Sequence, residues 1–238
     1  MQLKKISKII VGVIIFLTLP SLLFFGFVYF KYSENLPYGI QGVEADVLAH
    51  KMLEALDYES YQKTKYIEWT FRNKRRYKWD KANNICEVRW KDFEVDLHLK
   101  YKDRSKAFIH SFNVIGEQKD ELIKTAVEYY NNDSFWLVAP YKVFDEGVTR
   151  SLVKTENYKE ALLVTYTTGG TTPGDSYLWE FDENGKPKSF KMWTDLVPID
   201  GLEASWTDWT TTTSGAQLPT FHKILFMGFE IKHIKGTR

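Results

Sequence analysis

A run of 22 uncharged residues, Ile9–Phe30, constrains this chain more than any other stretch in it. Lys4, Lys5 and Lys8 precede the run and Lys31 closes it. At ~1.5 Å rise per residue, a helix of that length reaches about 33 Å, enough for a hydrocarbon core of roughly 30 Å. Residues 1–31 are therefore expected to form a cytoplasmic tip and a transmembrane anchor. The sequence after Phe30, Lys31-Tyr32-Ser33-Glu34-Asn35, lacks the small-x-small site of a cleaved secretory signal, so the anchor is expected to stay. Three lysines before the span against one directly after it keep the N-terminus cytoplasmic. The remainder then faces the far side of the membrane, the bacterial periplasm.

Charge and cysteine content narrow what that remainder does. The formal charge is +1 overall; four lysines flank the anchor, leaving −3 for residues 32–238. Such a balance does not suit a nucleic-acid binder, and the short basic run Arg72–Lys78 reads as a solvated turn and strand face. Cys86 is the single cysteine, so the outward domain has no internal disulfide and depends on its core. No cysteine ends the apolar run, which excludes the usual lipid attachment there.

Residues 32–42, with Asn35, Pro37, Gly39 and Gly42, read as a spacer, and residues 43–238 as one β-rich domain. Ala45, Leu48, Ala49, Met52, Leu53 and Leu56 share one helical face, with Glu44 and Asp46 at its positive end. The period then changes to two. Ile67, Trp69 and Phe71, then Tyr77 and Trp79, then Val88 and Trp90, then Val95, Leu97 and Leu99 alternate with polar residues across short turn-rich gaps. That is the pattern of an antiparallel meander. A second helix is expected from Glu117 to Tyr130, ended by Asn131-Asn132-Asp133. Strands follow at Phe135–Val138, Val148–Val153, Leu162–Tyr166, Tyr177–Phe181 and Lys188–Met192, and Ile224–Ile234 is expected to close the sheet. Asn184-Gly185 marks a tight hairpin between two of them.

The expected fold is α+β: a single N-terminal transmembrane helix followed by a strongly curved, mostly antiparallel incomplete β-barrel with a few helices packed on its concave face. No catalytic, metal or cofactor motif stands out. The histidines His50, His98, His110, His222 and His233 are scattered, and neither a nucleophile elbow nor a zinc-binding helix is present. Gly169-Gly170-Thr171-Thr172-Pro173-Gly174-Asp175 lacks the lysine of a phosphate loop and leads into a strand, so it reads as an inter-strand loop. All eight tryptophans lie outside the anchor, several on the apolar strand parity. Core packing explains such residues by default. Two short helices, however, leave part of a broad curved face uncovered, and an apolar cavity suited to an acyl chain is expected there. Trp69, Trp79, Trp90 and Leu97 are the candidate lining, with Asp175 on a rim loop.

The order of elements, a helix at Glu44–Leu56, a meander at Tyr66–Leu99, a second helix at Glu117–Tyr130 and further aromatic strands, resembles the LolA-like family of envelope proteins. The strings Asn132–Pro140 and Gly169–Asp175 also look like those of envelope proteins with folds of this type. The resemblance implies an incomplete barrel whose helices form a lid over a lipid-binding cavity. This chain departs from the family's soluble carrier in keeping an anchor, and no family ligand residue matches a position here. Three functions stay open: a non-catalytic domain binding a lipid or other apolar ligand, an envelope interaction module with a solid core and a protein partner, and an envelope hydrolase.

Overall fold

A computed structural model describes residues 2–155, 160–168 and 171–238. Helix α1 (Gln2–Tyr32) contains the apolar run, and its segment Lys8–Tyr32 is long and apolar enough to cross a membrane. Helix α2 (Val43–Ala55) buries Ala45, Ala49, Met52 and Leu53, the face the spacing predicts. A one-turn helix α3 (Tyr58–Lys63) follows, its first turn capped by the Asp57 carboxylate, which accepts from the Ser60 N–H at 3.2 Å.

The meander comes next: β1 (Tyr66–Phe71), β2 (Arg75–Asp80), β3 (Ile85–Trp90), β4 (Phe93–His98), β5 (Lys106–Ile109) and β6 (Phe112–Val114). After α4 (Glu117–Val138) come β7 (Val148–Lys154), β8 (Glu160–Tyr166), β9 (Ser176–Phe181), β10 (Pro187–Trp193), β11 (Leu202–Ser205), β12 (Thr207–Thr211), β13 (Gln217–Ile224) and β14 (Met227–Thr237). These form one 14-stranded antiparallel sheet in the order β6-β5-β4-β3-β2-β1-β14-β13-β11-β10-β9-β8-β7, with β12 paired to β13. The sheet curves without closing, as expected for so many twisted strands. Strand β14 joins its two halves. Met227–Glu230 pair with β13, and Ile231–Thr237 pair with β1.

Two expectations need correction. Phe135–Val138 is not a strand but the last turn of α4, which runs on through Asn131-Asn132-Asp133. Ile224–Ile234 is not one strand: Leu225 and Phe226 turn the chain between β13 and β14. The hairpin at Asn184-Gly185 is present, with Gly185 at φ +84° and the Asp182 carboxylate accepting from the Asn184 and Lys186 N–H groups. Residues 33–42 lie along the sheet, where Ile40 exchanges two backbone hydrogen bonds with Leu152 (2.9 and 2.8 Å).

The core is a single large cluster between the concave face and the helices, with a small satellite of Val153, Ala161, Leu163, Leu178 and Trp193 on the other face of the second half-sheet. Helix α2 packs on β7 and β8, and α4 crosses to β4, β5 and β13. The 22 residues of α4 therefore cover the hollow between the two half-sheets.

Candidate functional site

The site that the fold assembles is the contact between α4 and the concave face. Ile123, Ala126, Tyr130, Leu137 and Val138 give α4 an apolar stripe. Asp133 falls on that same stripe and is fully buried. An isolated carboxylate there would be costly, and the sheet supplies its partners. Arg75 of β2 grips it in fork fashion, Nε to Oδ2 at 2.6 Å and Nη2 to Oδ1 at 2.9 Å. The Tyr77 hydroxyl donates to Oδ2 at 2.5 Å, and Asn132 Nδ2 donates to Oδ1 at 2.8 Å. Burial alone would lower the Arg75 pKa, but the bond and charge of Asp133 outweigh it, so the net displacement is upward. Burial, then the Asp133 charge, hold the Tyr77 phenol far above its ordinary value. The Arg75–Asp133 salt bridge latches α4 to the sheet.

Aromatic side chains surround the latch. In the first half-sheet Trp69 stacks on Tyr77 (4.4 Å), and Trp79 and Trp90 meet Tyr130 and Tyr129 of α4 edge-on (5.7 and 5.5 Å). The Arg75 guanidinium also lies 4.4 Å from the Tyr129 ring centre. In the second half-sheet Phe135 packs on Tyr177 (4.6 Å), and Trp136 fits among Phe190, His222 and Phe229 (5.5, 5.1 and 5.1 Å). These are the side chains that the helical extension of α4 brings over the face, and they occupy ground expected to stay open.

Trp69, Trp90 and Leu97 are buried and Trp79 is half-buried. All four belong to the first half-sheet, where Leu97 pairs across from Cys86. Asp175 belongs to the other half. Its carboxylate accepts from the Tyr177 hydroxyl at 3.0 Å and from the Thr172 hydroxyl, and Tyr177 in turn touches Phe135. Gly169 and Gly170 lie outside the described residues, but the loop reaches α4 where Asn131 Nδ2 donates to Thr171 Oγ1 at 3.0 Å. Sequence reasoning missed Arg75, Tyr77 and Asp133. The available signal was an acidic residue in register with a helical apolar stripe.

Beneath α4 the sheet carries polar atoms without matching partners. The indole N–H groups of Trp69, Trp79, Trp179 and Trp206 and the Tyr166 hydroxyl are buried, with no hydrogen-bond partner among the described residues. Each such donor typically costs about 1–3 kcal/mol. On the opposite face, Glu87, Glu94 and Asp96 lie close enough to share a cation, but Arg89 already pairs with Glu87 (2.8 Å) and Glu94 (3.2 Å).

The architecture is an open, curved antiparallel sheet with a helix latched across its hollow. No family model matches the sequence, and no curated protein does. Among solved structures, a DUF1329 family protein from Desulfovibrio piger aligns over 81% of this chain and 92% of its own, with 11% identity and a TM-score of 0.43. A provisionally assigned outer membrane lipoprotein-sorting protein domain from Vibrio parahaemolyticus aligns over 79% and 93%, with 7% identity and a TM-score of 0.34. At those scores neither likeness bears on function.

Proposed function

We propose that this is a single-pass membrane protein whose extracytoplasmic domain binds a lipid, acyl chain or similar apolar guest between α4 and the concave face. The chain is anchored by residues 9–30 with its N-terminus cytoplasmic, the orientation its flanking lysines favour. The domain acts by binding, not catalysis, and α4 works as its lid.

The observation that carries this reading is the latch. A helix meant only as core would be seated most simply by apolar contacts, since well-packed hydrophobic side chains commonly match or exceed a buried ion pair in stability. Here α4 adds to its apolar contacts one directional carboxylate grip, above a face whose tryptophans carry unused N–H donors. A guest entering as α4 lifts would meet aromatic surface for its chain and donors for a carboxylate or ester. Trp69, Trp79, Trp90 and Leu97 would then line the site, with Asp175 holding the rim loop.

A second reading is an interaction module with a solid core, favoured by the close fit of Trp136 among Phe190, Trp206, His222 and Phe229. Residues 32–238, purified free of the anchor, separate the two. The lid reading expects lipid in extracts by mass spectrometry, or saturable binding of a fluorescent fatty acid that unlabelled fatty acid displaces. Absence of both contradicts it and leaves the solid module.

A further inference from the structure

The β13–β14 turn is made of residues that a water-exposed turn would not use. Ile224 pairs with Met227, so Leu225 and Phe226 alone reverse the chain. Two-residue hairpin turns favour Asn and Gly because they need positive φ. Here Leu225 adopts φ +53°, a left-handed conformation unfavourable for a residue with Cβ. Phe226 is 70% exposed and Met227 56% exposed. A bare apolar tip of this kind is suited to an apolar surrounding.

The anchor lies beside it. The ring centres of Phe24 and Phe226 are 6.4 Å apart. One turn further along α1, Val28 is only 7% exposed and belongs to the main core cluster. The chain leaving the helix is then clamped. The Glu34 N–H donates to Asp200 C=O at 2.8 Å, Trp193 Nε1 donates to Glu34 C=O at 2.8 Å, and Lys191 Nζ reaches both Glu34 carboxylate oxygens at 2.7 and 2.6 Å. A domain fixed at Val28 and Glu34 cannot swing freely on a tether.

Depth follows from helix geometry. Phe24 precedes the end of the apolar run by six residues, about 9 Å along the axis at ~1.5 Å each. A ring touching Phe24 therefore lies below the headgroups, inside the hydrocarbon. Lys223, exposed, lies one residue before the strand end at Ile224, so ~3.3 Å of strand and the two-residue turn separate it from Phe226. Lys31 lies seven residues past Phe24, about 10 Å along the helix, so its ammonium reaches the headgroup layer. The long stem of Lys223 extends its own ammonium toward that layer while the tip stays below it.

We infer that the Leu225–Met227 tip is a second membrane contact, inserted into the same leaflet of the same bilayer that α1 crosses. The inference rests on reading α1 as a membrane span. It deepens the proposed function, because Phe229, two residues past Met227, packs on Trp136 of α4. The C-terminal end of the lid thus stands next to the bilayer surface, where a guest can pass between membrane and domain without a free carrier.

The test uses the full chain in phosphatidylcholine nanodiscs with brominated acyl chains, which quench nearby fluorophores. Single cysteines at Phe226→Cys, Leu17→Cys and Asn184→Cys carry an environment-sensitive fluorophore. Cys86 is fully buried and burial pushes its thiol pKa well up, so it does not compete for label. Asn184 reports the opposite end of β10 from Trp193. The expected result is loss of roughly half or more of the emission at 226 and at 17, both within reach of a hydrocarbon core about 30 Å thick, and little loss at 184. Quenching at 17 without quenching at 226 overturns the inference and leaves the span standing. No quenching at either position removes the span itself, and the inference with it.

Discussion

Replacing Asp133 with Asn tests the latch with little change of shape. The carboxylate of Asp133 has no exposed surface and satisfies Arg75 Nε, Arg75 Nη2 and the Tyr77 hydroxyl at 2.6, 2.9 and 2.5 Å. Removing one member of a buried pair usually costs about 3–5 kcal/mol, because the surviving charge is left without compensation. Arg75 keeps 19% of its side-chain exposure and can turn partly to solvent, while the amide oxygen still accepts one bond, so the low end applies. About 3 kcal/mol corresponds to roughly two powers of ten in the balance between seated and lifted α4. Hydrogen exchange read by mass spectrometry on the full chain in nanodiscs measures this balance. Amides of Glu117–Val138 should exchange roughly a hundred-fold faster in Asp133→Asn, while β7–β10 stay near wild-type rates. The double variant Arg75→Met, Asp133→Leu should return α4 toward its seated state, since an apolar pair removes the stranded charge. Unchanged α4 exchange, or an equal rise across β7–β10, would refute the latch as a local device.

Three further outcomes follow from the same geometry. His222 is fully buried and burial lowers its pKa to about 4, so below pH 6.5 the unfolded chain takes up a proton that the folded chain refuses. Stability present at pH 7 should fall by about 2 kcal/mol by pH 5 through this group alone, and His222→Phe should flatten that part of the urea-midpoint profile. Lys81, which donates to Tyr61 C=O at 2.7 Å, is lowered to about 8 by burial and by Lys142. Stability should therefore rise with pH from about 8 toward the ordinary lysine value, and Lys81→Met should lose that rise in denaturant titrations. Trp136→Ala opens the ground between Phe190, Trp206 and Phe229, and should lower unfolding stability by about 3 kcal/mol in the same titrations.

The meander was legible residue by residue because one face is wet and the other dry. Ile67, Trp69, Phe71, Tyr77, Cys86, Val88, Trp90, Val95 and Leu97 are all buried and their in-between neighbours are not uniformly so. Helix α2 and the Asn184-Gly185 turn were legible for the same reason, each being set by local pattern. The end of α4 was not. Asn131, Asn132 and Asp133 favour turns when alone, but here Asp133 finds Arg75 and Tyr77 far back in the sequence, and that tertiary pairing carries the helix on to Val138. The place of β14 between β1 and β13 was equally hidden, since pairings such as Phe71 with Ile231 leave no local trace. By sequence alone the Leu225-Phe226 turn reads as strand interior because both residues are apolar, which is also why it suits a membrane better than water.

The claim on which the rest depends is that a guest lodges under α4. A photoactivatable fatty acid supplied to the full chain in membranes, followed by peptide mapping of the crosslinks, tests it most directly. Crosslinks on β1–β4 and on Glu117–Val138, increased in Asp133→Asn, are the expected result. Crosslinks confined to residues 9–30 and the Leu225–Met227 tip would contradict it.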